Sequence, residues 1–202
     1  MPQTLQTSQI ERFCFVVNAV VVTCGLCLHE RQDLFSCDTV LLSMFTSGSE
    51  EMKPDFRPIG FVKSPVTEAI DMGWGSVISE VQIESEYASG LEGLQEFSHA
   101  VIVTWLHLAE FDRSRHLQRR PRDREDMPLV GMFAQRARHR PNSIGITTVE
   151  IIDVKPPVLR VQGLDAIDGT PVLDVRPYFP AYDRVDDARV PEWVDRLMQG
   201  YF

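Results

Sequence analysis

Arg136, Arg138 and Arg140 stand at every second position in a chain whose formal net charge is -9. In a strand, alternate residues share one face, so these three guanidinium groups would form a single cationic row. Such a row repels itself unless an anion or a set of carboxylates lies opposite. A guanidinium fork binds carboxylate or phosphate in bidentate fashion, which makes anion binding the chemistry this spacing suggests. Pro141-Asn142-Ser143-Ile144-Gly145 follows directly. Proline fixes φ, asparagine tolerates turns, and glycine admits a ligand or another backbone at close range. A strand edge with exposed arginines is the plainer alternative. Between Arg113 and Arg140 there are nine arginines against three acids, Asp123, Glu125 and Asp126. A local excess of that kind can guide a polyanion to one face of an acidic protein, or it can be a solvated loop.

Two further places carry chemistry. In Gly163-Leu164-Asp165-Ala166-Ile167-Asp168-Gly169-Thr170-Pro171, Asp168-Gly169 reads as a hairpin-type turn, whereas Asp165 lies between apolar neighbours. A carboxylate in that setting needs partners, either ribose hydroxyls of a ligand or the arginine row. His107 ends the apolar run HAVIVTWLHL, where it serves as a strand-end residue or as a hydrogen-bond group at the mouth of a cavity.

The elements that must position these groups are short and mostly extended. Strands are expected at Pro58–Lys63, Val77–Glu84, His99–Leu108, Leu129–Arg136, Ile144–Ile152, Val158–Leu164 and Val172–Val175. A helical turn is expected around Leu91–Glu96, and an amphipathic helix from Pro191 to Met198 with proline in its first turn. His99–Leu108 is apolar enough to be buried on both faces. Val154-Lys155-Pro156-Pro157 turns the chain between two strands. Many short strands with Gly/Pro punctuation and few helices predict a mainly β fold, a single closed or nearly closed barrel with a few short helices and a C-terminal helix.

A content of 44% hydrophobic and 24% charged residues over 202 residues describes one ordinary globular domain. The acidic balance argues against a generic nucleic-acid coat. Gly73-Trp74-Gly75 lacks the third glycine of a dinucleotide fingerprint, and no P-loop or HExxH occurs. All four cysteines, Cys14, Cys24, Cys27 and Cys37, fall in the first 40 residues, where one CxxC pair is a weak metal or redox signal. The apolar run Phe13–Leu28 is short for a membrane span and lacks the basic leader of a signal peptide. Residues 1–52 therefore read as an extension, dispensable or disordered, ahead of a domain over 56–202.

Several collinear segments resemble the TsaA-like or TrmO family, tRNA adenosine N6-methyltransferases that use S-adenosylmethionine on a β-barrel. They are Phe56-Arg57-Pro58-Ile59-Gly60-Phe61-Val62-Lys63-Ser64-Pro65, the run from Gly90 to His99, Gly131-Met132-Phe133-Ala134-Gln135-Arg136, Arg140-Pro141-Asn142-Ser143-Ile144-Gly145, the run from Leu164 to Asp174, and Pro177-Tyr178-Phe179-Pro180. The resemblance implies a cofactor pocket built from Trp74, Gly75, Ser76, His107, Leu108, Arg136, Ile146, Gln162, Gly163, Leu164 and Asp165. It implies methyl transfer to N6 of t6A, the threonylcarbamoyl adenosine beside the anticodon, in a cytoplasmic homodimer that needs no metal. Arg119, Arg120, Arg122, Arg138 and Arg140 then become the candidates for tRNA contact. Asp165, Asp168, His107 and Tyr178 are the candidates for proton acceptor, with no choice among them. Family members usually have proline where Ser143 stands, a mild change within a turn. A methyltransferase of the same fold acting on a small molecule, and a non-catalytic RNA-binding barrel, are the alternatives.

Overall fold

The computed structural model describes residues 55–202. The expected extension over residues 1–52, with its cysteines and apolar run, lies outside the described residues. Eight strands are present: β1 (Gly60–Lys63), β2 (Ile78–Ile83), β3 (His99–Trp105), β4 (Gln118–Arg119), β5 (Val130–Gly131), β6 (Ile144–Lys155), β7 (Val158–Gln162) and β8 (Pro171–Pro177). Six of them close an antiparallel barrel in the order β1-β2-β7-β6-β3-β8, and β4 and β5 form a separate two-stranded ribbon. The described residues also hold three short α-helices, α1 (Arg113–His116), α2 (Pro180–Asp183) and α3 (Glu192–Met198).

Period-two alternation builds the core. Val62, Val81, Ile83, Ala100, Ile102, Val149, Leu159, Val161 and Val172 point inward and are buried. Leu91 and Leu94, from 3-10 turns at Ser85–Leu91 and Leu94–Glu96, join the same core cluster. Closing the sheet removes its edges, which is how so small a fold escapes edge pairing.

Three expectations are corrected. His99–Leu108 is not buried on both faces: Ala100, Ile102 and Thr104 are buried, whereas Trp105 is 48% exposed. The barrel fills only its interior, and the outer wall of β3 is left apolar. Asp168-Gly169 makes a turn, with Gly169 at φ 77, but no hairpin, because β7 lies between β2 and β6 while β8 lies between β1 and β3. The expected strand Leu129–Arg136 shrinks to Val130–Gly131, and Met132–Ala134 turns into a 3-10 helix. Side chains replace the ladder there. Gln135 Nε2 donates to the carbonyls of Arg119 and Val130 at 2.9 and 3.0 Å. The arginine row therefore lies on irregular backbone, and its members point to different partners. Among the described residues no helix is long and apolar enough to cross a membrane.

Candidate functional site

β2, β6, β7 and β8 bring one end of the barrel together around Asp165. β7 ends at Gln162, and Gly163 turns the chain at φ 87, a backbone conformation that glycine adopts at low cost. Leu164 and Ala166 are buried on either side, which holds Asp165 half-buried at the rim. Its carboxylate has two partners from other elements. The Thr147 hydroxyl, inward-facing on β6, donates to Oδ1, and the Tyr201 hydroxyl donates to Oδ2 at 2.9 Å. Burial, followed by the Asp165 charge, pushes the Tyr201 phenol well above its ordinary range, so it remains a protonated donor.

The Trp74–Ser76 turn closes the same rim. Gln162 Nε2 donates to the Gly75 carbonyl at 2.9 Å, and Gly163 N–H to the Val77 carbonyl at 3.0 Å. Trp74 is buried, and its indole N–H donates to the Ile70 carbonyl. Six predicted cofactor residues, Trp74, Gly75, Gln162, Gly163, Leu164 and Asp165, are thus gathered with Thr147 and Tyr201. Ser76 sits exposed beside them, its hydroxyl donating to the Gly73 carbonyl.

Of the remaining predicted cofactor residues, Arg136 and Ile146 meet on the outer side of β6. The Arg136 guanidinium donates to the Ile146 carbonyl at 2.6 Å. Ile146 points outward, opposite to its neighbour Thr147, and pairs with Val103 of β3. His107 and exposed Leu108 lie in the turn that leaves β3, where Leu106 N–H donates to the Ser143 carbonyl. A Cβ on Gly145 would lie 2.4 Å from Thr104 Oγ1, so glycine is what lets β3 and β6 pair here.

Asp168 is committed to a structural bond set. Its carboxylate accepts from the Ser64 N–H at 3.0 Å and the Lys63 ammonium at 3.2 Å. The Ser64 N–H, then Lys63, holds its carboxyl below the usual carboxylate range, which weakens it as a base. Tyr178 follows the far end of β8, whose seven residues place it roughly 20 Å from the rim that Asp165 occupies. Asp165 and His107 lie at the barrel end where β7 and β3 finish; Tyr178 does not.

The arginines divide by environment. Arg140 is half-buried and donates to the carbonyls of Met132 and Gln135, both at 2.9 Å. Arg119 pairs with Asp123, Arg120 donates to the Met127 carbonyl, and Arg122 stacks over the Tyr201 ring at 5.1 Å. Arg138 is exposed and donates to His139 Nε2. His139 stacks on His116 at 4.7 Å, and its Nδ1–H reaches the Glu110 carbonyl. Burial lowers its proton affinity, which keeps the stacked imidazole neutral. The loop carrying α1 is thereby fastened to the arginine segment.

Four residues of this region are not evident from the sequence: Thr147, Tyr201, His116 and His139. Thr147 carries a signal, a polar residue at an inward position of an apolar strand. Tyr201 carries none, because its partners are 36 and 127 residues away in Asp165 and Trp74.

Residues 71–184 match the profile described as the tRNA-methyltransferase O N-terminal domain. The chain is 37% identical over 134 residues to an S-adenosyl-L-methionine-binding protein of Archaeoglobus fulgidus, covering 64% of this chain and 93% of that one. It is 35% identical over 144 residues to the tRNA (adenine(37)-N6)-methyltransferase of Escherichia coli K12, covering 66% of this chain and 61% of that one. A crystal structure of TrmO from P. aeruginosa superposes with a TM-score of 0.59 at 31% identity, over 72% of this chain and 64% of that one. The chain thus spans less than two thirds of the length of the latter two proteins.

Proposed function

The chain belongs to the tRNA-methyltransferase O family, and from that membership we propose that it is an S-adenosylmethionine-dependent tRNA methyltransferase acting on N6 of adenosine 37 where that base carries the threonylcarbamoyl group of t6A. One observation of this structure carries the cofactor site: the Asp165 carboxylate at the barrel rim, held on two sides by Thr147 and Tyr201. Two carboxylate oxygens offer about four acceptor positions, so two remain for hydroxyl groups of a ligand. The residue types assigned to the site fit S-adenosylmethionine. Asp165 suits its ribose, exposed Leu108 and Ile146 offer apolar surface, and Arg136 keeps N–H donors for its carboxylate. Trp74, Gly75, Ser76, Gln162, Gly163, Leu164 and His107 complete the proposed set of cofactor residues.

The bound cofactor would supply an activated sulfonium methyl. The protein's task is then to align nucleophile and methyl and to exclude water. N6 of t6A belongs to a urea-like group and is a poor nucleophile, so a proton acceptor assists. Of the candidate acceptors Asp165, Asp168, His107 and Tyr178, His107 is favoured, since Asp165 is assigned to the ribose, Asp168 is tied to Ser64 and Lys63, and Tyr178 follows the far end of β8. Arg119, Arg120, Arg122, Arg138 and Arg140 line the segment proposed to meet the anticodon loop, and Arg120 and Arg138 are its exposed members.

A cytoplasmic homodimer belongs to the same proposal. What supports the dimer is the outer wall of β3 and β6, where Trp105 and Ile146 are exposed apolar side chains. Calorimetry with S-adenosylmethionine tests the cofactor claim: absence of binding leaves a non-catalytic RNA-binding barrel. Mass spectrometry of tRNA nucleosides from a deletion strain tests the substrate. Loss of methylated t6A is expected there, and unchanged methylated t6A removes the assignment.

A further inference from the structure

The segment Gly200–Phe202 is fastened to the rim at three independent points. The Tyr201 hydroxyl donates to Asp165 Oδ2 at 2.9 Å. Its carbonyl accepts from Trp74 N–H at 2.8 Å, and the Gly200 carbonyl accepts from Gly73 N–H at 2.9 Å. Phe202 lies directly on Gly75, where a Cβ would come within 2.4 Å of its carbonyl carbon. Glycine at position 75 therefore makes room for this segment. The Tyr201 ring is restrained from its other sides, packed edge-on against Phe202 at 4.9 Å and covered by the Arg122 guanidinium at 5.1 Å. Arg122 and Asp123 both hold positive φ, at 51 and 54, a conformation that persists only where the surroundings fix it. A tyrosine held so firmly can set the orientation of the carboxylate it bonds.

We propose that Tyr201 is a positioning residue of the cofactor site, its hydroxyl fixing the Asp165 carboxylate while its main chain holds the Trp74–Ser76 turn against Gln162. The proposal rests on the assignment of Asp165 to S-adenosylmethionine. Each oxygen of the carboxylate then accepts one bond from the protein, from Thr147 or Tyr201, and keeps acceptor capacity for the ligand. Losing the phenol leaves the carboxylate free to rotate about its bond to Cβ, away from the ligand's hydroxyls. The phenol stays protonated across the physiological range because burial and the neighbouring charge raise its pKa. It therefore acts as a constant donor and not as a base.

Tyr201→Phe isolates this role, since it keeps the ring, its packing against Arg122 and both main-chain bonds. Calorimetry with S-adenosylmethionine on the full chain should show Kd raised about tenfold, the consequence of one charge-assisted hydrogen bond. KM for the cofactor should rise while kcat at saturating cofactor holds. The double variant Tyr201→Phe, Asp165→Asn should bind no more weakly than Asp165→Asn alone, because both act through one carboxylate. A fall in melting temperature with unchanged Kd would make the tyrosine merely structural and overturn the proposal. Tighter binding would make it an occupant of the pocket and overturn it equally. If Asp165→Asn itself leaves Kd unchanged, the cofactor assignment fails, and that failure is visible apart from the behaviour of Tyr201.

Discussion

Asp165 accepts two hydrogen bonds from its own protein and keeps acceptor capacity at the barrel rim, so its charge serves structure and ligand together. Asp165→Asn should weaken S-adenosylmethionine binding by about 1–3 kcal/mol, the range for a hydrogen bond to a charged group. Equal affinity by calorimetry in the variant would confine Asp165 to the fold. The three arginines of the row face different tests. Arg136→Ala should raise Kd for the cofactor and leave the salt dependence of tRNA binding unchanged. Arg138→Ala should do the reverse, lowering the slope of log affinity against log salt by about 1, the share of a single neutralised phosphate. Arg140 caps two carbonyls, and its removal should show in the melting temperature. The opposite pattern, with cofactor affinity following Arg138, would invert the division.

The turn between Arg140 and Ile144 is the element with the least tolerance. Ser143 is buried and holds φ 46, and both its N–H and its hydroxyl donate to the Arg140 carbonyl, at 3.1 and 3.0 Å. Proline locks φ near -65° and has no N–H. The serine is therefore not a mild replacement for the proline usual in the family: this chain's turn takes a path that proline cannot follow. Ser143→Pro should cost more than about 1 kcal/mol, from strain and a lost donor, read as a lower denaturation midpoint. Unchanged stability would mean that the turn readily adopts a second path. The 3-10 turn Met132–Ala134 makes the same point from the other side, since side-chain forks from Gln135 and Arg140 take the carbonyls that a longer strand would have paired.

At the scale of the molecule, the closed barrel satisfies its own edges but leaves an apolar pair, Trp105 and Ile146, exposed on the outer wall of β3 and β6, Ile146 by 54%. Self-association is the expected way to cover it. Ile146→Glu should shift the sedimentation of the protein towards monomer while the barrel stays folded, because the side chain points away from the core. A dimer that survives the change would place the interface elsewhere. The barrel begins at Gly60, and the hydrogen bonds that hold Asp165 and the Trp74–Ser76 turn come from residues beyond 69. A chain starting at Met52 should accordingly fold and bind cofactor as the full chain does. Aggregation or lost binding would make residues 1–51 part of the domain.

Short extended runs set off by Gly/Pro punctuation were enough to predict a barrel and the approximate limits of its six strands, because turn residues mark where each strand stops. Collinear motifs carried the family, and with it the candidate residues around Asp165. Local patterning could not decide what each charge touches. Arg136, Arg138 and Arg140 have the same side chain and regular spacing, yet one meets the Ile146 carbonyl, one a histidine, and one two carbonyls of a neighbouring turn. Nor could it find Tyr201, whose partners are distant in sequence and meet it only when the barrel closes. Hydrogen bonds are satisfied by whatever lies within about 3 Å, and that neighbourhood is set by the tertiary path of the chain.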